Sequence, residues 1–231
     1  MPEDYYQNIL YPLQDKVLSI VEPLPVSFYL TGGTALSRAY LNHRYSEDLD
    51  FFLNDARDFK QQVKIVIEEM LKNNIKPEAP VADEGFARLF IVEDDCTLKI
   101  DFVNDVPFRS GKPVCTKLFR RTDSIANILS NKITALSRYT PKDVADIVYI
   151  SLHYQFNWTK VFSDASEKDL WVNPVEASKI LDEFPIQKMN EVNWVNKIPD
   201  PLNMFSPLIK QIIIDILEGR QNSLFKPRKN I

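Results

Sequence analysis

The spacing of apolar residues divides the chain into two kinds of segment. Between Glu3 and Val21 the residues Ile9, Leu10, Leu13, Val17, Leu18 and Val21 recur at helical intervals, and Pro23 and Pro25 end the pattern. "VSFYL", Val26 to Leu30, is short, β-branched and aromatic and predicts a strand. Gly32-Gly33 breaks the chain, "TALSRAYLNH" has the composition of a helix, and "DLDFFL", Asp48 to Leu53, predicts a second strand. A helix is expected over about Ala56 to Lys72, on Phe59, Val63, Ile65, Val66, Ile67, Met70 and Leu71. From Phe86 to Asp105 the pattern is that of a hairpin. It has a strand near Ala87 to Val92, a turn at Glu93-Asp94-Asp95, and a return strand near Thr97 to Val103. There Leu98, Ile100 and Phe102 alternate with Lys99, Asp101 and Val103.

Beyond about residue 122 the period becomes helical throughout. Helices are expected near Asp123 to Arg138, Pro141 to Tyr154, Trp158 to Asp164, Pro174 to Phe184 and Pro201 to Glu218. Asp123, Thr140-Pro141 and Asn173-Pro174 supply start signals. The tail "RQNSLFKPRKNI" is expected to be loosely held. The expectation is an α/β region at 1–121 followed by a helical domain at 122–231.

Composition narrows the class. At 231 residues and 45% apolar, the chain can bury a real core. A net charge of -4 argues against a general nucleic-acid coat, though not against a local basic cleft. Cys96 and Cys115 lack metal-ligand spacing, and His43 and His153 are too scattered for a zinc site. "MPEDYYQNIL" has neither the basic nor the apolar region of a signal peptide. No apolar run approaches the roughly 18 residues that span a bilayer. A reduced, cytoplasmic protein without a membrane partner is the expectation.

The candidate chemistry lies in "TGGTALSRAYLNHRYSEDLDFFL", Thr31 to Leu53, which holds two of the five glycines. On a strand, Asp48 and Asp50 point to one face, about 6–7 Å apart along the backbone, with Leu49 and Phe51 turned to the core. Two such carboxylates resist burial, and Mg²⁺ resolves the conflict because it takes carboxylate and phosphate oxygens. The plain alternative is an edge strand with two solvated aspartates. The glycine pair between a strand and a helix start suits a phosphate, since glycine permits close backbone approach and helix N-terminal N–H groups face the anion. Thr34 adds a hydroxyl. The alternative is an ordinary strand–helix turn; neither a P-loop nor a dinucleotide fingerprint is present. Asp101 in "KIDFV" is a third candidate carboxylate. With it, two metals could clamp an in-line displacement, and Asp101 could help deprotonate the attacking hydroxyl. Otherwise it is an exposed hairpin aspartate.

"GGTALSRAYLNHRYSEDLDFF" resembles the first motif of the AbiEii/AbiGii-type nucleotidyltransferase toxins, within the DNA polymerase β-like nucleotidyltransferase superfamily. Gly33-Thr34 opens it, Ala35 to Glu47 form a spacer of thirteen residues, and Asp48-Leu49-Asp50-Phe51 follows. Asp101 takes the later acidic position. "NKITALSRYTPKDVADIVYI" resembles a second family segment through Lys132, Ala135-Leu136, Arg138, Lys142, Asp143 and Asp146.

The resemblance implies a nucleotidyltransferase core with a small mixed β-sheet and a C-terminal helical bundle closing the cleft, with Lys132 and the Asp143/Asp146 region on its far wall. It implies two Mg²⁺ ions and an NTP whose NMP passes to an acceptor hydroxyl. Asp48, Asp50 and Asp101 would hold the metal. Gly32, Gly33 and Thr34 would cradle phosphates, and Lys132 would neutralise the leaving pyrophosphate. It also implies a toxin–antitoxin or phage-defence role, an RNA or tRNA acceptor and a cognate antitoxin.

The residues add smaller expectations. Lys132 and Arg138 lie on different stripes of their helix, and Arg138 packs, pairs or touches nucleotide. Asp143 and Asp146 share a face, and one of them holds Lys132 or Arg138. Arg44 touches a phosphate or supports its loop, and Ser46 binds Asp48 or shapes the turn. His153 is expected to pack, Arg120-Arg121 to be solvated or to rim an RNA cleft, and Trp158, Trp171 and Trp194 to pack among helices. Two other readings stay open: transfer to a small molecule or protein, and a non-catalytic nucleotide- or partner-binding member of the fold.

Overall fold

A computed structural model describes residues 3–93 and 95–227. The chain divides into two compact units, Met1–Ser124 and Ile125–Ile231.

The first unit is built on a five-stranded mixed sheet. Its strands are β1 Tyr29–Thr31, β2 Leu49–Asn54, β3 Pro77–Ala82, β4 Phe86–Glu93 and β5 Cys96–Asp105, in the spatial order β1-β2-β5-β4-β3. Only β2 and β5 run parallel. Alternation gives the sheet two unlike faces. Leu30, Leu49, Phe51, Leu89, Ile100 and Phe102 are fully buried on one side. There Phe28, Phe51, Phe59, Phe102 and Phe119 make ring contacts at centroid distances from 4.9 to 6.5 Å. Thr31, Asp50, Asp101 and Arg88 lie in one register row on the other side.

Helix α4, Phe59–Lys72, follows β2. At the N-terminus α1, Glu3–Tyr5, a π-helical turn, Tyr6–Leu10, and α2, Tyr11–Val21, follow one another without a gap. The strand expected from Val26 is shorter, because only Tyr29–Thr31 finds a partner in β2. The helix expected from Thr34 begins at the glycines instead, as α3, Gly32–Thr34, and continues as a π-helix, Ala35–Leu41. β3 is an element that its proline-rich sequence concealed; a bulge between Glu78 and Val81 accommodates it beside β4. Of the expected hairpin turn, Asp94 lies outside the described residues.

The second unit is helical: α5 Ile125–Thr134, α6 Pro141–His153, α7 Trp158–Ser166, α8 Pro174–Glu183 and α9 Pro201–Leu217. Short 3₁₀ turns at Ala135–Arg138 and Ile186–Glu191 are inserted. Asn173 caps α8 by accepting from the N–H groups of Val175 and Glu176. Thr140 stands at the N-cap of α6 but gives its hydroxyl to Asp143. Trp158 is fully buried, while Trp171 and Trp194 are half-buried. His153 packs against Tyr149, ring to ring.

The tail corrects its expectation up to Leu224, whose N–H donates to Asn222 Oδ1. Asn222 is buried and donates to the carbonyls of Ser151 and Tyr154, and Ser223 donates to Asp215 through both its N–H and its hydroxyl. Polar side chains, which composition scores as loop-like, are what fasten it. Residues 228–231 lie outside the described part. Among the described residues, no helix is long and apolar enough to cross a membrane.

Candidate active site

The parallel pairing of β2 with β5 sets Asp50 directly beside Asp101. Asp48 comes two residues before Asp50 and just precedes β2. The loop leading to it is fastened from α2: Gln14 donates to the carbonyls of Ser46 and Glu47, and the Tyr11 hydroxyl accepts from the Ser46 N–H. Tyr6 donates to Glu47 Oε1 at 2.8 Å and stacks on Tyr45 at 4.1 Å. The amphipathic N-terminal helix thus fixes where the aspartate strand begins.

The glycine pair is tied to the same strand. Gly32 has φ +70°, and a Cβ there would fall on Asp50 Oδ2. A side chain would occupy the place that the carboxylate takes, so both the backbone angle and the close approach require glycine. At Gly33 a Cβ would come within 2.5 Å of Arg44 Nη2 and 2.9 Å of Ser46 Oγ.

Thr34 is buried. Its hydroxyl donates to the Asp48 carbonyl and lies 3.0 Å from Ser46 Oγ. The expected phosphate-facing hydroxyl of Thr34 is corrected by this placement: it joins the helix start to the aspartate strand. Arg44, 2% exposed, packs under Gly33 and donates to the Tyr45 carbonyl, the loop-supporting one of its two expected roles. Ser46 is buried in the turn.

The carboxylates meet cations of their own sheet. Arg88 on β4 grips Asp101 through Nε and Nη2, at 2.6 and 2.7 Å, with both carboxylate oxygens accepting. Lys99 Nζ lies 2.8 Å from Asp48 Oδ2 and 3.5 Å from Asp101 Oδ2. Burial pulls the Lys99 ammonium toward a lower pKa, but the Asp48 hydrogen bond and the charges of Asp48, Asp101 and Asp50 together hold it above the ordinary lysine value. Strand alternation already put Lys99 on Asp101's face. That it reaches Asp48 as well needed the β2–β5 pairing, and Arg88 needed the hairpin register. These two are the site residues that sequence reasoning missed.

Thr31, the register partner of Asp50, donates to buried Asp123 at 2.6 Å. Asp123 also accepts from the Ser124 N–H and so closes the first unit just before α5. Arg121 gives its guanidinium to the carbonyls of Phe28, Glu22 and Val21, at the end of α2. Arg120 is an exposed neighbour of Glu22.

The helical unit holds the second group by itself. Lys132 lies 2.6 Å from Asp143 Oδ1 and 2.7 Å from Asp146 Oδ2, and all three are buried. Asp143 and Asp146, three residues apart on α6, face it together, so both aspartates hold Lys132. Arg138 is exposed at the end of its 3₁₀ turn, and Lys142 is half-buried in the first turn of α6.

Carboxylate oxygens are the donor set that Mg²⁺ prefers, and the Lys99 ammonium marks a point at which two of them accept a positive charge. The residues therefore fit a hard divalent cation. Among the described residues, no three His, Cys, Asp or Glu side chains are gathered into a ready-made metal cluster. Asp101 is turned to Arg88 and Asp48 to Lys99.

The architecture is found in solved structures at low identity. A "putative nucleotidyltransferase from H. pylori" superposes with a TM-score of 0.58 at 19% identity, over 94% of this chain and 98% of that one. JHP933 from Helicobacter pylori gives 0.56 at 19% identity, over 94% and 95%. At that identity the likeness is one of fold. No curated protein matches the chain. The class comes from the sequence family, that of nucleotidyl transferases. The sequence model described as "Nucleotidyl transferase AbiEii toxin, Type IV TA system" matches residues 18–201, and the chain belongs to that family.

Proposed function

We propose that the first unit transfers an NMP from an NTP to an acceptor hydroxyl with Mg²⁺, and that Asp48, Asp50 and Asp101 form its metal-holding set. The observation that carries this reading is the register of β2 on β5, which sets Asp50 beside Asp101 on the face opposite the phenylalanine core. The acceptor hydroxyl gives its proton to solvent as its oxygen bonds to the α-phosphorus, the bond to the β-phosphate breaks, and pyrophosphate leaves. Bound divalent metal supplies charge for the attacking and leaving oxygens.

The chain's own residues position the rest. Gly32 makes room for the Asp50 carboxylate and Gly33 for Arg44 and Ser46, Thr34 keeps that turn attached to the Asp48 carbonyl, and the phosphate-cradling role we give the glycine pair falls to its backbone N–H groups where α3 begins. Arg88 fixes the plane of the Asp101 carboxylate. For Asp101 to take the hydroxyl proton, one of its Arg88 bonds has to open, so holding is the role we assign to it. Lys132, which the resemblance assigns to the leaving pyrophosphate, is held by Asp143 and Asp146 within the helical unit, and the role we assign to it is structural.

Family membership supports a toxin with a cognate antitoxin, and RNA, tRNA included, is the acceptor we propose from the resemblance. The test is to incubate the protein with Mg²⁺, each α-labelled NTP and total RNA beside Asp48→Ala/Asp50→Ala. Label entering RNA only with the native protein is expected. Label in protein or small molecules instead would replace the acceptor, and equal labelling by the double variant would remove the mechanism. Induced expression in bacteria should arrest growth only while both aspartates are intact.

A further inference from the structure

The cations on the carboxylate row differ in kind. Arg88 makes a fork on one carboxylate, a fixed planar geometry. Lys99 is a point charge on a flexible stem and bridges two carboxylates from different segments, at 2.8 and 3.5 Å. Its side chain is 29% exposed, and that of its nearer partner, Asp48, is 42% exposed. The ammonium thus lies where one cation serves both Asp48 and Asp101, and it has solvent to withdraw into.

We propose that Lys99 is a built-in counter-ion of the metal-holding carboxylates, which a divalent cation must displace from Asp48, so that Lys99 sets the metal affinity of the site. The inference rests on the reading of Asp48, Asp50 and Asp101 as the metal set. Without metal, three carboxylates share one face of the sheet, and Lys99 offsets their repulsion. A divalent ion brought to the same oxygens meets that ammonium and binds only once it has moved. Apparent affinity then falls by the fraction of molecules in which Lys99 has withdrawn. Arg88 holds Asp101 from β4.

A positioning lysine that merely aligned the carboxylates would act in the opposite direction, since its loss would weaken metal binding. The sign of the effect therefore decides. Mn²⁺ is titrated into the full chain without nucleotide and followed by electron paramagnetic resonance, for the native protein, Lys99→Met, Lys99→Arg, Lys64→Met and Asp48→Asn/Asp50→Asn. Lys64 is an exposed α4 lysine near Glu68 and controls for net charge.

Lys99→Met is expected to bind Mn²⁺ about tenfold more tightly, as it would if Lys99 lies on the carboxylates in about nine molecules of ten. Lys99→Arg and Lys64→Met should stay within about twofold of native, because the first keeps the cation and the second removes one elsewhere. Lys99→Gln is the second variant should the methionine not fold. Native-like or weaker Mn²⁺ binding by the lysine-less variants overturns the proposal, provided Asp48→Asn/Asp50→Asn loses the ion. If the double aspartate variant binds Mn²⁺ as well as native, the metal-site reading itself fails, and this inference fails with it.

Discussion

The two units hold a similar excess of carboxylate in different surroundings. In the sheet unit, carboxylates are in excess: Asp48, Asp50 and Asp101 share a face with Lys99 and Arg88. In the helical unit a single lysine sits between Asp143 and Asp146. The difference is exposure. Asp48 keeps 42% of its side chain open, whereas Lys132 keeps 11% and Asp146 none. An open acidic group can exchange one cation for another. A buried lysine between two carboxylates is fixed, because removing it strands charge in the interior. The first arrangement suits a reagent and the second a strut.

The strongest way to break this contrast is to remove the aspartates. Asp48→Ala/Asp50→Ala should lower nucleotidyl transfer by about a thousandfold or more, the several kcal/mol that metal charge stabilisation supplies. Its urea midpoint should stay near native. A midpoint that falls steeply instead would make the acidic row structural.

Lys132→Ala should do the reverse to stability. It leaves Asp143 and Asp146 without their shared cation, and the loss should be about 3 kcal/mol or more on urea unfolding. If the variant is as stable as native, the strut assignment is wrong.

Gly32→Ala comes next, at about 1–3 kcal/mol, since φ +70° strains an L residue and the methyl would displace Asp50 Oδ2. Transfer activity should fall together with stability, and loss of stability alone would separate the glycine from the site.

The smallest effect is one of pH. Burial pushes the Asp215 carboxyl up, but hydrogen bonds from Ser223, Gln211 and Arg220 outweigh it and hold its pKa below the ordinary value. A depressed folded-state pKa stabilises above the unfolded value, about 4, and that stability is lost as pH falls through the folded value. Asp215→Asn should therefore be less stable than native at pH 7, with the gap narrowing at pH 3. A gap of constant size would mean that ionisation contributes nothing there.

Much of this was legible in residue order. The alternation around Asp48-Leu49-Asp50 and Ile100-Asp101-Phe102 indicated which side chains enter the core, and all four apolar neighbours, Leu49, Phe51, Ile100 and Phe102, are fully buried. The helices after residue 124 followed from their period and from prolines at first-turn positions. Partnership was not legible. Arg88 and Asp101 are thirteen residues apart, and Lys99 meets Asp48 across fifty-one, so both contacts depend on register. Thr34 reads as a ligand because a hydroxyl suits phosphate, and Arg44 reads equally as a ligand or as a support for its loop. Burial, which sequence does not print, made them braces.

The central claim is that the Asp48–Asp50–Asp101 face carries the transfer chemistry. Its most direct measurement is the rate at which α-labelled NTP enters an RNA acceptor at fixed Mg²⁺, for native protein and Asp50→Asn, with both shown to have the same thermal midpoint. The account predicts label with the native protein and almost none with Asp50→Asn. Equal rates from the two proteins would contradict it.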